Sequence, residues 1–192
     1  MQSLRTQPNL LWFLGAYWLY IDGVYTIIKM AVDYGLSQGL SAADVTGAIL
    51  LTNFLGFPAA IAFGALGQRL GPRRGIYLGL AVYLVATVLA VFLTTAGQFY
   101  GLAAAIGLVQ GGVQSLSRSL YARLIPPERS GEYFGFFNML GKFSSVVGPV
   151  LAGTVALVAG SQRTGILSIV VLFVLGLALL SRVRVPDGPA AS

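Results

Sequence analysis

The sequence predicts an all-α membrane protein with six transmembrane helices, and three observations carry that prediction. Apolar runs at about 10–32, 45–67, 75–95, 98–116, 134–159 and 165–181 are each long enough to cross a bilayer, whose hydrocarbon core of ~30 Å takes about 20 helical residues and tolerates about 17. Charged residues make up 9% of the 192 and hydrophobic ones 56%, with a mean hydropathy of +0.81, against roughly 25% charged in an average soluble domain. Basic residues also alternate as six spans require. Arg5, then Arg69, Arg73 and Arg74, then Arg118, Arg123 and Arg129, then Arg182 and Arg184 fall on one side, and only Arg163 falls clearly on the other. The positive-inside rule therefore puts both termini and the second and fourth connections in the cytoplasm, with the chain multi-pass in the cell (inner or plasma) membrane. So one-sided a bias argues against a dual-topology antiparallel dimer.

Length and composition exclude other classes. A chain of 192 residues holds one six-helix domain over 1–192 and no sizeable soluble domain beside it. The net charge of +6 invites a nucleic-acid reading, but the charges are dispersed among the connections, where membrane orientation accounts for them. With no Cys and no His there is no disulfide, thiolate, imidazole metal site or imidazole acid–base pair. Intramembrane hydrolysis would need a nucleophile with a base or a metal, and Asp22 is the only deeply placed carboxylate. Neither an enzyme nor a metal or cofactor protein is expected.

Residues 1–9 are polar and precede the first span. A basic start before the apolar 10–21 resembles a signal peptide, but Asp22 stands where a small-residue cleavage site belongs and the apolar run resumes beyond it, so the span is read as retained. Within it, LYIDGVYTIIK (19–29) places Asp22 near mid-bilayer, where an ionised carboxylate costs roughly 2.5–3.5 kcal/mol. A wet cavity or a partner charge must offset that cost; the plainer alternative is a carboxylate that only fixes packing. Tyr25 follows, and Lys29 lies ~10 Å farther along the axis. Lys29 could pair with Asp33 at i+4, snorkel outward, or reach back toward Asp22.

The later spans differ in polarity. The second carries Thr52, Asn53 and Pro58; the fourth Gln110, Gln114 and Ser115; the fifth Asn138, Lys142, Ser144, Ser145 and Pro149. The third and sixth carry no ionisable group except the tyrosines of the third. Polar side chains in a bilayer face protein or water, so spans one, two, four and five are assigned to a polar interior and three and six to the lipid-facing periphery. Two polar spans and one apolar span, occurring twice, point to two three-helix repeats. Gln110 and Gln114 share a face, which suits interhelical hydrogen bonding and substrate contact equally. Lys142, with Asn138 at i−4 and Ser145 at i+3, forms one stripe read as cavity-lining. Arg118, Arg123 and Arg129 are read as cytoplasmic loop charges, and Pro58 and Pro149 as kinks or tolerated membrane prolines. Gly47, Gly56, Gly64, Gly101, Gly107, Gly111, Gly112, Gly141, Gly148 and Gly153 each cost ~1 kcal/mol against Ala in a soluble helix; in lipid they let helices approach.

These residues resemble a family. GALGQRLGPRR (64–74) is similar to the cytoplasmic signature loop of the major facilitator superfamily: Gly64, Leu66, Gly67, Arg69, Gly71, Arg73 and Arg74 match, while Gln68 stands where the family has an acid. LIPPERSGEYFG (124–135) resembles the loop between that family's tenth and eleventh helices, and GPVLAG (148–153) the helix after it. LYIDGVYTIIK and QSLSRSLYARLIPPERSGEYFGFFNMLGKFSSVVGP (114–149) look like the C-terminal half of the vacuole-effluxer branch, relatives of the autophagy-related vacuolar amino-acid exporter. The resemblance implies one half of a major-facilitator-type bundle, two inverted three-helix repeats, with the substrate site at the interface of two six-helix halves. A lone half would present its polar face to lipid, so a parallel homodimer or a separate N-terminal half is the expected partner.

The function expected on these grounds is secondary active transport of a small organic solute, with amino acids the class the resemblance implies. Asp22 would exchange a proton, Lys142 or Lys29 would meet an anionic group of the solute, and Tyr25, Asn53, Gln110, Gln114 and Asn138 would complete the cavity. The loop of Gly64, Arg69, Gly71, Arg73 and Arg74 would brace the cytoplasmic face. The alternative is a non-transporting membrane subunit or fragment that pairs with a separate N-terminal half.

Overall fold

The computed structural model describes residues 8–184. They fold as α1 (Pro8–Ser37), α2 (Ala42–Leu70), α3 (Pro72–Ala90), α4 (Ala96–Leu124), a 3-10 turn (Pro127–Arg129), α5 (Ser130–Phe143), α6 (Val147–Ala159), α7 (Gln162–Ser168) and α8 (Val170–Ser181), with no strand among them. Six spans are long and apolar enough to cross a membrane, α5 with α6 and α7 with α8 each making one. The chain is an all-α, multi-pass membrane protein.

Local chemistry sets the helix ends. The Ser41 hydroxyl accepts from the Asp44 N–H at the start of α2, and Thr95 with Gln98 forms a reciprocal capping box at the start of α4; each satisfies backbone donors that the first turn leaves without partners. Between α2 and α3 the connection shrinks to Gly71, whose φ of +84° turns the chain at once into Pro72, the first residue of α3. A side chain at that φ would clash with the backbone, and proline's missing N–H costs nothing in a first turn. The stretch expected as a loop over 64–74 is thus helix on both sides of a single glycine. Gly160, at φ +66°, ends α6 in the left-handed conformation in the same manner.

Glycine also lets α2 and α4 approach closely. A Cβ on Gly107 would lie 2.8 Å from the Thr52 carbonyl oxygen, and one on Gly111 3.1 Å from that of Gly56. Only a bare backbone lets α2 and α4 lie this close, and there the Thr52 hydroxyl donates to the Ala103 carbonyl at 3.1 Å. Gly64, Gly101 and Gly153 meet nothing within 4 Å, so helix approach does not account for them.

The core gathers around α1, the most enclosed span. It packs along α8, where Gly176 sits against Tyr20, and Tyr83 of α3 stacks on Phe173 of α8 at 5.6 Å. Beneath the centre an aromatic block of Phe13, Tyr17, Tyr121 and Phe137 closes one half of the bundle, with ring centroids 4.2 Å apart for Tyr17 and Phe137 and 4.6 Å for Tyr121 and Phe137. The ends of the described chain meet: the Asn9 side chain donates to the Arg184 carbonyl at 2.5 Å and accepts from its N–H at 2.6 Å. The Arg73 guanidinium donates to the Ser181 carbonyl at 2.8 Å, and Arg182 lies over Trp12. Arg163 works at the opposite end, donating to Gln38 and to the Leu93 carbonyl. Arg5, the first residue of the orientation argument, lies outside the described residues.

Two expectations need correction. The fourth helix does not end at Leu116 but runs through Leu124, because nothing between Ser117 and Leu124 breaks a helix and the first proline comes at Pro126; Arg118 and Arg123 are therefore helical, not loop, residues. Nor are spans two and five interior while three and six are peripheral: the second is the least enclosed span and the fifth the next least. Asn53, Asn138 and Lys142 face an open surface that the described residues do not cover, Thr52 and Ser144 are tied to neighbouring carbonyls, and three and six bury tyrosine and phenylalanine beside α1.

Candidate functional site

The fifth span is broken at its middle, and the sequence explains where. Pro149 has no N–H to give the Ser145 carbonyl four residues back, and its ring crowds that carbonyl. The helix stops at Phe143 and restarts at Val147, leaving loose backbone groups on both sides of the break. Two residues of α1, one heptad apart on one face, take them up. Lys29 Nζ donates to the freed Ser145 carbonyl at 3.3 Å, and Asp22 Oδ2 accepts from the Gly148 N–H at 2.7 Å. A cation thus stands at the C-terminal end of one half-helix and an anion at the N-terminal end of the next, the pairing that both helix dipoles favour.

The joint around Asp22 is closed. Asp22 is 2% exposed, Thr26 is fully buried, and the Thr26 hydroxyl donates to the Asp22 carbonyl at 2.7 Å. A Cβ on Gly148 would collide with the Thr26 hydroxyl oxygen and approach the Asp22 carbonyl at 3.2 Å, so α1 and α6 touch with no room for a side chain. Asp22 Oδ1, also buried, has no hydrogen-bond partner among the described residues. Asp22 therefore does not line an open chamber in this conformation. Nor does Lys29 pair with Asp33; the ion pair found among the described residues is Arg129 with Glu132, at 2.6 Å.

Beside the joint lies an open groove of about 600 Å³ bounded by α1, α4 and α5. It gathers Tyr25, Lys29, Asn138 and Lys142 of the expected cavity residues and adds Tyr17, Arg118 and Ser145. From Tyr17 to Lys29 it follows α1 for ~18 Å. Tyr17 is its aromatic floor, stacked on Phe137. Arg118 donates to Asn138 Oδ1 at 3.5 Å, a long contact. The other expected residues lie elsewhere. Asn53 and Gln110 border a separate, largely apolar crevice of about 140 Å³ between α1, α2, α3 and α4, where Asn53 donates to the Ile49 carbonyl of its own helix. Gln114 lines neither space. In the signature stretch, Arg73 ties α3 to α8 while Arg69 and Arg74 point outward, exposed, and Gly64 meets no neighbour.

Arg118 is the residue sequence reasoning missed, and a signal for it existed. Gln110, Gln114 and Arg118 follow one another at i, i+4 and i+8, so the polar stripe of α4 runs on into the groove. Ending the span at Leu116 concealed it. The Gly148–Pro149 pair likewise marked the break on which Asp22 and Lys29 converge.

Comparison with known proteins agrees with this architecture. Residues 1–191 match the family model described as "Vacuole effluxer Atg22 like". The chain is 37% identical over 181 residues to the MFS-type transporter YxiO of Bacillus subtilis (strain 168), covering 94% of this chain and 42% of that protein. It is 29% identical over 204 residues to autophagy-related protein 22 of Cryptococcus neoformans var. neoformans serotype D (strain B-3501A), covering 97% of this chain and 37% of that one. Among solved structures, an auto-inhibited POT family peptide transporter superimposes with a TM-score of 0.68 at 15% identity, over 96% of this chain and 39% of the other. The chain spans less than half the length of each.

Proposed function

We propose, from the premise that this chain belongs to the vacuole effluxer Atg22-like family of the major facilitator superfamily, that it forms half of the translocation path of a secondary active transporter for a small organic solute, amino acids being the first class to test. The observation that carries the reading is the groove: Lys29, Arg118, Lys142 and Asn138 converge from three membrane-spanning helices on one open space. Intramembrane charges of this kind mark solute and ion paths. The matching family model is described as a vacuole effluxer and the Bacillus subtilis relative as an MFS-type transporter, which supports the same direction.

The groove is open, and α2 and the fifth span are the least enclosed, so a second six-helix body covers this side, either a second copy in parallel orientation or a separate N-terminal half. Rocking of the two bodies exposes the groove to each side in turn. Asp22 exchanges a proton when the joint at Gly148 opens, and Lys29, released with it, is free to meet the solute. The membrane is the cell membrane, with Asn9 and Arg184 on the cytoplasmic side.

Uptake of labelled amino acids into proteoliposomes, with and without an imposed pH gradient, tests this. Gradient-driven accumulation that Asp22→Asn abolishes is the expected result; accumulation whose pH dependence survives Asp22→Asn removes Asp22 as the proton carrier. A protein that catalyses no solute flux in any assembly would favour the non-transporting subunit.

A further inference from the structure

The groove is unbalanced in charge. Lys29, Arg118 and Lys142 border it, and no Asp or Glu does. Asp22 engages the Gly148 N–H, and Glu132 pairs with Arg129. Lys142 Nζ has no hydrogen-bond partner among the described residues, and the Arg118 guanidinium, with Tyr17 beside it, hydrogen-bonds only to Asn138 Oδ1, at 3.5 Å. Asp22 is the nearest carboxylate to Lys29, but it is turned into the joint; among membrane-spanning helices, cations that share a groove holding no carboxylate of its own favour an anion there.

Their spacing says what kind. Arg118 sits beside Asn138, Lys142 lies one helical turn on, ~6 Å along α5, and Lys29 sits beside Ser145, ~10 Å from Asn138 on the same measure. A single carboxylate cannot reach both ends of this row. A guanidinium also offers a carboxylate two parallel N–H bonds, which favours an organic acid over a lone inorganic anion.

We infer that the groove binds a small organic acid carrying two carboxylates several ångström apart, one held by Arg118 and the other by Lys142 with Lys29. The hydroxyls of Tyr17 and Tyr25 and the Asn138 amide lie beside the solute's backbone and fix its orientation. The inference rests on the reading of this groove as a solute site; it adds the charge class.

The test uses matched pairs that differ by one carboxylate: succinate against succinamate, and L-glutamate against L-glutamine, titrated onto the intact protein in lipid nanodiscs. The two-carboxylate member of at least one pair is expected to bind about tenfold or more tighter than its amide. Arg118→Gln and Lys142→Gln should each erase that preference, and Arg118→Lys and Lys142→Arg should restore part of it, with unfolding midpoints confirming that the variants fold. Equal affinity within both pairs overturns the inference, as does a preference that neither Arg118→Gln nor Lys142→Gln alters. Solute flux separates this from the wider reading. Wild-type protein that carries neutral amino acids across proteoliposomes but binds neither dicarboxylate more tightly than its amide leaves the transporter standing and ends the charge assignment. Dicarboxylate binding without flux of any solute does the reverse.

Discussion

The joint and the groove share one face of α1 and treat charge in opposite ways. At the joint, Asp22 is buried and answers a backbone N–H that the break in the fifth span leaves open. In the groove, Lys142 and Arg118 are exposed and answer almost nothing in the described chain. One region uses its charge to hold the protein together; the other keeps its charge available. The difference teaches that an ionisable residue inside a span is not a solute contact by depth alone, and that the partner it already has decides between the two roles.

The sharpest way to break the contrast is Gly148→Ala. Its methyl group would collide with the Thr26 side chain and crowd the Asp22 carbonyl, and the buried Thr26 hydroxyl is held by its bond to that carbonyl, so stability should fall by about 1–3 kcal/mol, read from unfolding in mild detergent. Gly153→Ala, in the same helix with nothing within 4 Å, should instead be neutral or stabilising by about 0.5–1 kcal/mol. Next in size is Asp22→Ala, which strands the Gly148 N–H and should cost about 1–3 kcal/mol; Asp22→Asn keeps an acceptor oxygen and should recover part of it. Lys29→Met removes the cation from the end of α5 and should cost about 0.3–1 kcal/mol. Lys142→Gln should change stability by less than about 0.5 kcal/mol while altering solute affinity. If Lys142→Gln destabilises as much as Asp22→Ala, the groove cations are structural and the distinction between the two regions disappears.

Much of the architecture was legible in the sequence, because hydrocarbon thickness and the side-chain composition of each run specify spans with little help from tertiary contacts. Asp22, Lys29 and Lys142 stood out for the same reason: charge inside an apolar run is conspicuous. What they touch was not legible. Whether Asp22 looks into water or onto a backbone N–H depends on Pro149, 127 positions away, and no local pattern links the two. Arg118 was hidden by a boundary error of two turns, since the apolar signal fades before the helix does. Asn53 and Gln110 read as cavity residues but border a smaller apolar crevice, because hydropathy marks a residue as polar without saying which opening it faces.

The seam between Asn9 and Arg184 has a mechanical consequence. Two hydrogen bonds fasten the first helix to the chain after the last one, and on the far rim Arg163 bridges Gln38 and Leu93. Hooped at both ends, the bundle is braced against splaying. Compliance then falls to the break in the fifth span at Ser144–Val146, so that spin labels placed next to the seam should keep a constant separation under conditions in which labels flanking that break do not.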